Sequence, residues 1–96
     1  MKEEKIRATL TEHKEELSSF RVKFLSIFGS VARGEETEDS DLDFLVEFEG
    51  KPTYNQYMEL KFFLEKILDK EVDLVTRKGL RDEIRPEVEK EAINVA

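Results

Sequence analysis

Two apolar runs meeting at a polar junction constrain this chain more than anything else in it. The first run (Val22, Phe24, Leu25, Ile27, Phe28) stops at Gly29-Ser30, and ten residues further on the second opens with Asp41-Leu42-Asp43. Both runs are short and rich in aromatic and β-branched residues, which predicts buried strands over 22–28 and 43–48. Residues i and i+2 of a strand face the same side, so the Asp41 and Asp43 carboxylates should project together. Carboxylates that close resist joint ionisation unless a cation lies between them. Mg²⁺ suits the arrangement, because it is commonly held by one or two carboxylates together with substrate phosphates. The Gly-Ser turn supplies the complementary half, a backbone that a phosphate can approach and N–H donors to meet it.

The remaining periodicities place these strands in an α/β chain. Ile6, Leu10, His13 and Leu17 form an amphipathic stripe that predicts a helix from Lys2 to about Ser18, with His13 at the core margin. Ser30 to Gly34 reads as a helical turn, Glu35 to Ser40 as a polar loop, and Gly50 to Thr53 as a second turn. Tyr57, Leu60, Phe63, Leu64, Ile67 and Leu68 predict a helix from Tyr54 to about Asp69, with Thr53 as its N-cap. Glu71–Thr76 is a third strand and 77–81 a loop. A last helix beginning near Pro86 should turn Val88 and Ala92 inward. The expected architecture is one domain over residues 1–96, a small mixed β-sheet with helices packed against it.

Composition then narrows the function. Lys and Arg number 16 against 23 Asp and Glu, giving a net charge of −7. No basic footprint for nucleic acid is expected on such a chain, although a basic partner protein would suit it. With no cysteine and one histidine, thiolate zinc sites and histidine-rich metal sites are excluded. The charged start of the chain has no apolar signal segment, and no apolar run approaches the length of a membrane span. A cytoplasmic protein is expected.

The third strand adds Asp73, between Val72 and Leu74. If those neighbours face the core, Asp73 faces the side where Asp41 and Asp43 project. Three carboxylates on neighbouring strands fit two-metal phosphoryl chemistry, in which two ions clamp the attacking and leaving oxygens. On that reading Asp41 and Asp43 hold the nucleotide-phosphate metal and bridge to the second. Asp73 completes the second site and serves as base or orients the acceptor hydroxyl, while Gly29 and Ser30 take the phosphates of the leaving pyrophosphate. Blander readings exist for each residue alone: Asp41 as a turn residue, Asp73 as an ion-pair partner of Lys70 or Arg77. Arg33 either contacts phosphate or pairs with a loop carboxylate such as Glu35 or Asp39. Tyr54 and Tyr57 are better explained by packing than by base stacking.

Taken together, Gly-Ser-Val-Ala-Arg-Gly (29–34) and Ser-Asp-Leu-Asp (40–43), with Asp73 later in a strand, resemble the signature of the minimal nucleotidyltransferases, members of the DNA polymerase β-like superfamily. The resemblance implies the polymerase β-like fold over nearly the whole chain. It also implies a Mg²⁺-dependent enzyme using ATP, with Asp41, Asp43 and Asp73 as catalytic and metal residues. Gly29, Ser30 and Arg33 would bind the nucleotide. Such proteins are similar to antitoxins paired with HEPN-domain ribonuclease toxins, which they silence by adenylylating a tyrosine. Two other readings are set beside this one. A non-catalytic antitoxin would act by covering its partner. An aminoglycoside-type nucleotidyltransferase would need a further domain to build an acceptor pocket, for which 96 residues leave no room.

Overall fold

Alternation along the central strands decides which side of the sheet is dry. In the computed structural model, which describes all 96 residues, β1 (Val22–Phe28) and β2 (Leu42–Phe48) pair antiparallel. β3 (Val72–Thr76) joins β2 in parallel, and the short β4 (Ile93–Asn94) joins the other edge of β1, giving the order β3-β2-β1-β4. Leu25 and Ile27 of β1, Leu42, Phe44 and Val46 of β2, and Val72 and Leu74 of β3 are buried on one face. Three helices cover that face. They are α1 (Glu3–Glu12), α2 (Lys14–Ser18) and α3 (Tyr54–Leu68), which contribute Ile6, Leu10, Leu17, Leu60, Leu64 and Leu68 to a single core. On the opposite face α4 (Arg85–Glu91) sets Val88 against Leu45 and Leu80, with Phe28, Val75 and Ala92 around them.

The mixed sheet with helices packed against it is the architecture expected from the sequence. Thr53 caps α3 as expected: its hydroxyl accepts from the Gln56 amide at 3.1 Å, while the Gln56 side chain accepts from the Thr53 amide at 2.9 Å. His13 lies half-buried, its ring edge-on to Phe63. Tyr57 packs against the core and donates its hydroxyl hydrogen to the Leu74 carbonyl, whereas Tyr54 is largely exposed.

Four local features differ from expectation. The first helix is broken at His13, whose amide is shared between the Thr9 and Leu10 carbonyls while Nδ1 also lies 2.9 Å from the Thr9 carbonyl. A bulge at Lys23 in β1 leaves Phe24 about half exposed, so the run is not wholly buried. Arg77–Gly79 is a 3₁₀ turn tied by the Thr76 hydroxyl, which accepts from the Gly79 amide. Finally, α4 ends at Glu91 and the chain crosses to β1, where the Val95 amide bonds to the Leu25 carbonyl at 2.9 Å. A two-residue strand is too short to carry a periodicity. No helix is long and apolar enough to cross a membrane.

Candidate active site

The site forms where β1 ends and where β2 and β3 begin. Phe28 is the register partner of Asp43 across the antiparallel pair, and Asp43 is the partner of Asp73 across the parallel pair. Residues paired in register face the same side of a sheet, so Asp43 and Asp73 stand side by side on the face opposite the main core. Asp41 lies just before β2, on the same side by alternation. Asp41 and Asp73 are exposed and Asp43 is half-buried. The sheet thus brings the three aspartates singled out in the sequence to one side, with Asp73 exposed on the face opposite Val72 and Leu74 as the strand pattern predicts.

None of the three enters an ion pair. The bland reading of Asp73 therefore fails: Lys70 donates to the Glu38 carbonyl, and Arg77 pairs with Glu47 and Glu89. Burial pushes the Asp43 carboxyl above the ordinary carboxylate range, and the like charges of Asp73 and Asp41 push it further; Arg33 opposes them. As placed, the carboxylates do not close into a ready-made cluster for an ion. Their chemistry nevertheless fits Mg²⁺, which accepts an all-oxygen set and fewer protein ligands than its coordination number. Mutual repulsion that a cation would relieve points the same way.

Above Asp43 the chain turns through Gly29, at φ +73° and buried. A Cβ at Gly29 would overlap the Asp43 carboxylate, so glycine is required both by the backbone angle and by the close approach. One helical turn follows, with the Arg33 amide bonding to the Gly29 carbonyl and the Glu35 amide to the Ser30 carbonyl at 2.8 Å. It brings Arg33 close enough for its charge to act on Asp43. Arg33 pairs with Glu35, one of the two loop partners anticipated, at 3.4 Å, and Asp39 is not involved. It also pairs with Glu91, at 3.2 Å from Nη1.

Glu91 was missed in the sequence, and nothing there would have found it. It is one of four glutamates between 83 and 91, and its role depends on α4 crossing the sheet. Its carboxylate accepts from the Gly29 amide at 2.8 Å as well as from Arg33.

A mixed sheet that sets two aspartates on adjacent parallel strands beside a Gly-Ser turn defines a polymerase β-like module for nucleotidyl transfer. Comparison with known proteins agrees. The model of the nucleotidyltransferase domain family matches residues 10–95. The protein adenylyltransferase MntA of Thermococcus cleftensis is 43% identical over 93 residues, covering 96% of this chain and 94% of the relative. A solved structure described as a candidate minimal nucleotidyltransferase superposes with a TM-score of 0.83 at 41% identity, covering 97% of this chain and 95% of that one. The fold is also shared, at a TM-score of 0.68 and 18% identity, with a complex of a tri-AMPylated Shewanella oneidensis HEPN toxin and its MNT antitoxin; the match covers 95% of this chain and 71% of that one. The chain belongs to the nucleotidyltransferase domain family, among its minimal members, and is an enzyme of the nucleotidyltransferase type.

Proposed function

We propose that residues 1–96 form one module that transfers AMP from ATP to a tyrosine of a HEPN-type ribonuclease toxin in the cytoplasm and thereby silences it. The observation that carries this reading is the parallel register of Asp43 with Asp73 beneath the Gly29 turn. The adenylyltransferase name of a relative 43% identical along nearly the whole chain supports the reaction type. The toxin complex of the same fold supports the partner, and a related toxin–antitoxin structure containing AMP-PNP supports the nucleotide.

In the transfer, the tyrosine oxygen forms a bond to the α-phosphorus, and the bond from that phosphorus to the bridging oxygen breaks, releasing pyrophosphate. Asp73, exposed and without an ion-pair partner, takes the tyrosine proton or orients the hydroxyl. Ser30 and Arg33 hold the β- and γ-phosphates, which leave together. Asp41 and Asp43, with Asp73, would hold the Mg²⁺ ions. When bound, these supply the positive charge that offsets the phosphates and activates the in-line displacement. The site lies at the strand ends of a small sheet, with Asp41 and Asp73 exposed, so the acceptor must bring its own surface. A protein tyrosine meets that condition better than a small molecule.

The test is a transfer assay with Mg²⁺ and ATP labelled at the α- or the γ-phosphate, using wild type and Asp43→Asn with a HEPN-type toxin. Label should reach the toxin from the α position alone and should fall at least about a hundredfold in the mutant. Inhibition of the toxin without transfer of either label would instead make the chain a binding antitoxin.

A further inference from the structure

The Gly29 amide is buried, and its hydrogen bond runs to a residue 62 positions away, the Glu91 carboxylate, at 2.8 Å. The same carboxylate takes the Nη1 edge of Arg33 at 3.2 and 3.4 Å. Glu35 lies 3.4 Å from Nε, so two of the three guanidinium nitrogens are held and Nη2 is left without a partner. The Ser30 hydroxyl is likewise unbonded within the chain, and Ser30 is partly exposed.

Glu91 itself has little freedom. It is the last residue of α4, and two residues later Ile93 enters the sheet opposite Ile27. The Ala96 amide and carbonyl are both bonded to Leu25. The donor of the Gly29 amide is already taken by Glu91, and the Asp43 carboxylate stands against the Cα of Gly29. On the positioning reading Glu91 keeps this place when the nucleotide binds. It satisfies a buried donor that would otherwise be costly, through a charge-assisted bond, and it sets the angle of the arginine.

We infer that Glu91 is a positioning residue for the triphosphate: by tying the Gly29 turn to Arg33 it keeps the Ser30 hydroxyl and the Nη2 edge of Arg33 directed at the β- and γ-phosphates. The inference rests on the proposed nucleotide-binding role of that turn. It adds that α4 and β4, remote in sequence from the motif, are what hold the motif in working order.

Calorimetric titration with Mg²⁺·AMP-PNP, and separately with AMP, tests it on the full chain. Glu91→Ala should weaken AMP-PNP about tenfold, the worth of a charge-assisted contact, and leave AMP almost unchanged, since AMP lacks the two phosphates concerned. Glu91→Gln keeps an oxygen for the Gly29 amide but loses the charge on Arg33, and should weaken AMP-PNP by about threefold. In the Glu91→Ala background, Arg33→Ala should cost little more, because the two act as one unit. Equal losses for AMP and AMP-PNP would reduce Glu91 to a structural role, and tighter AMP-PNP binding would make it a plug; either overturns the inference. So would a Glu91→Ala chain that fails to fold beside a Glu91→Gln chain that binds as wild type. Wild type that binds neither nucleotide would remove the proposed ATP-dependent function as well, a result visible before any mutant is measured.

Discussion

At the Asp43 carboxylate two demands conflict: the fold half-buries it between like charges, and the proposed metal-holding role needs it ionised. Its proton affinity is higher in the folded chain than in the unfolded one. Below the ordinary carboxylate range both states are protonated and nothing is lost. As pH rises from there through the raised folded value, stability falls, and above that value the loss is complete. Asp43→Asn should therefore melt roughly 1–3 °C above wild type at neutral pH without Mg²⁺, the gap closing below about pH 4, as scanning calorimetry would register. On the proposed mechanism, stability and function are opposed at this residue. Gly29 meets it from the other side. Gly29→Ala adds a methyl group where the carboxylate stands and a left-handed angle alanine resists, so urea unfolding should show a loss of about 2–4 kcal/mol. Both residues mark where local preference yields to the site.

At the scale of elements, α3 shows how cleanly periodicity reads. Leu60, Leu64 and Leu68 recur every four residues and are almost fully buried, and Thr53 with Gln56 forms the capping box at the start. Its far end is less ideal: Asp69 closes the helix at φ +52°. Asp69→Gly should raise the urea midpoint by the equivalent of about 0.5–1 kcal/mol, since glycine adopts that angle without strain. The strands of the site were legible for the same reason as α3. Alternation around Asp43 and Asp73 places both opposite the buried Leu42, Phe44, Val72 and Leu74, and the register then makes them neighbours. Three features were not legible. The break at His13 rests on a side chain competing for one carbonyl, the Lys23 bulge on a single extra residue, and β4 on two residues that acquire strand character only by meeting β1. Glu91 was hidden with β4, because its contact spans 62 positions and exists only after α4 has crossed the sheet.

For the whole molecule, an ion held as proposed by the unpaired carboxylates would make cation binding and folding one equilibrium. An ion that binds only the native chain adds about 1.4 kcal/mol at tenfold excess over its Kd, on the order of 6 °C for a domain of this size. Melting curves across a Mg²⁺ series should rise accordingly for wild type and stay flat for the Asp41→Asn/Asp43→Asn double variant. The charge of −7 alone would let any divalent cation screen the surface slightly, so the flat response of the double variant assigns the shift to the site. The parallel pairing of β2 with β3 carries one more consequence. The spacing between Asp43 and Asp73 is set by the peptide repeat across the sheet, about 4.8 Å from strand to strand, and not by the shapes of the side chains beneath. Leucines, isoleucines and valines under the sheet can be exchanged over many generations without retuning the distance between the two carboxylates. The ruler is graduated in backbone, and a lineage can rewrite most of its interior while the ruler keeps its marks.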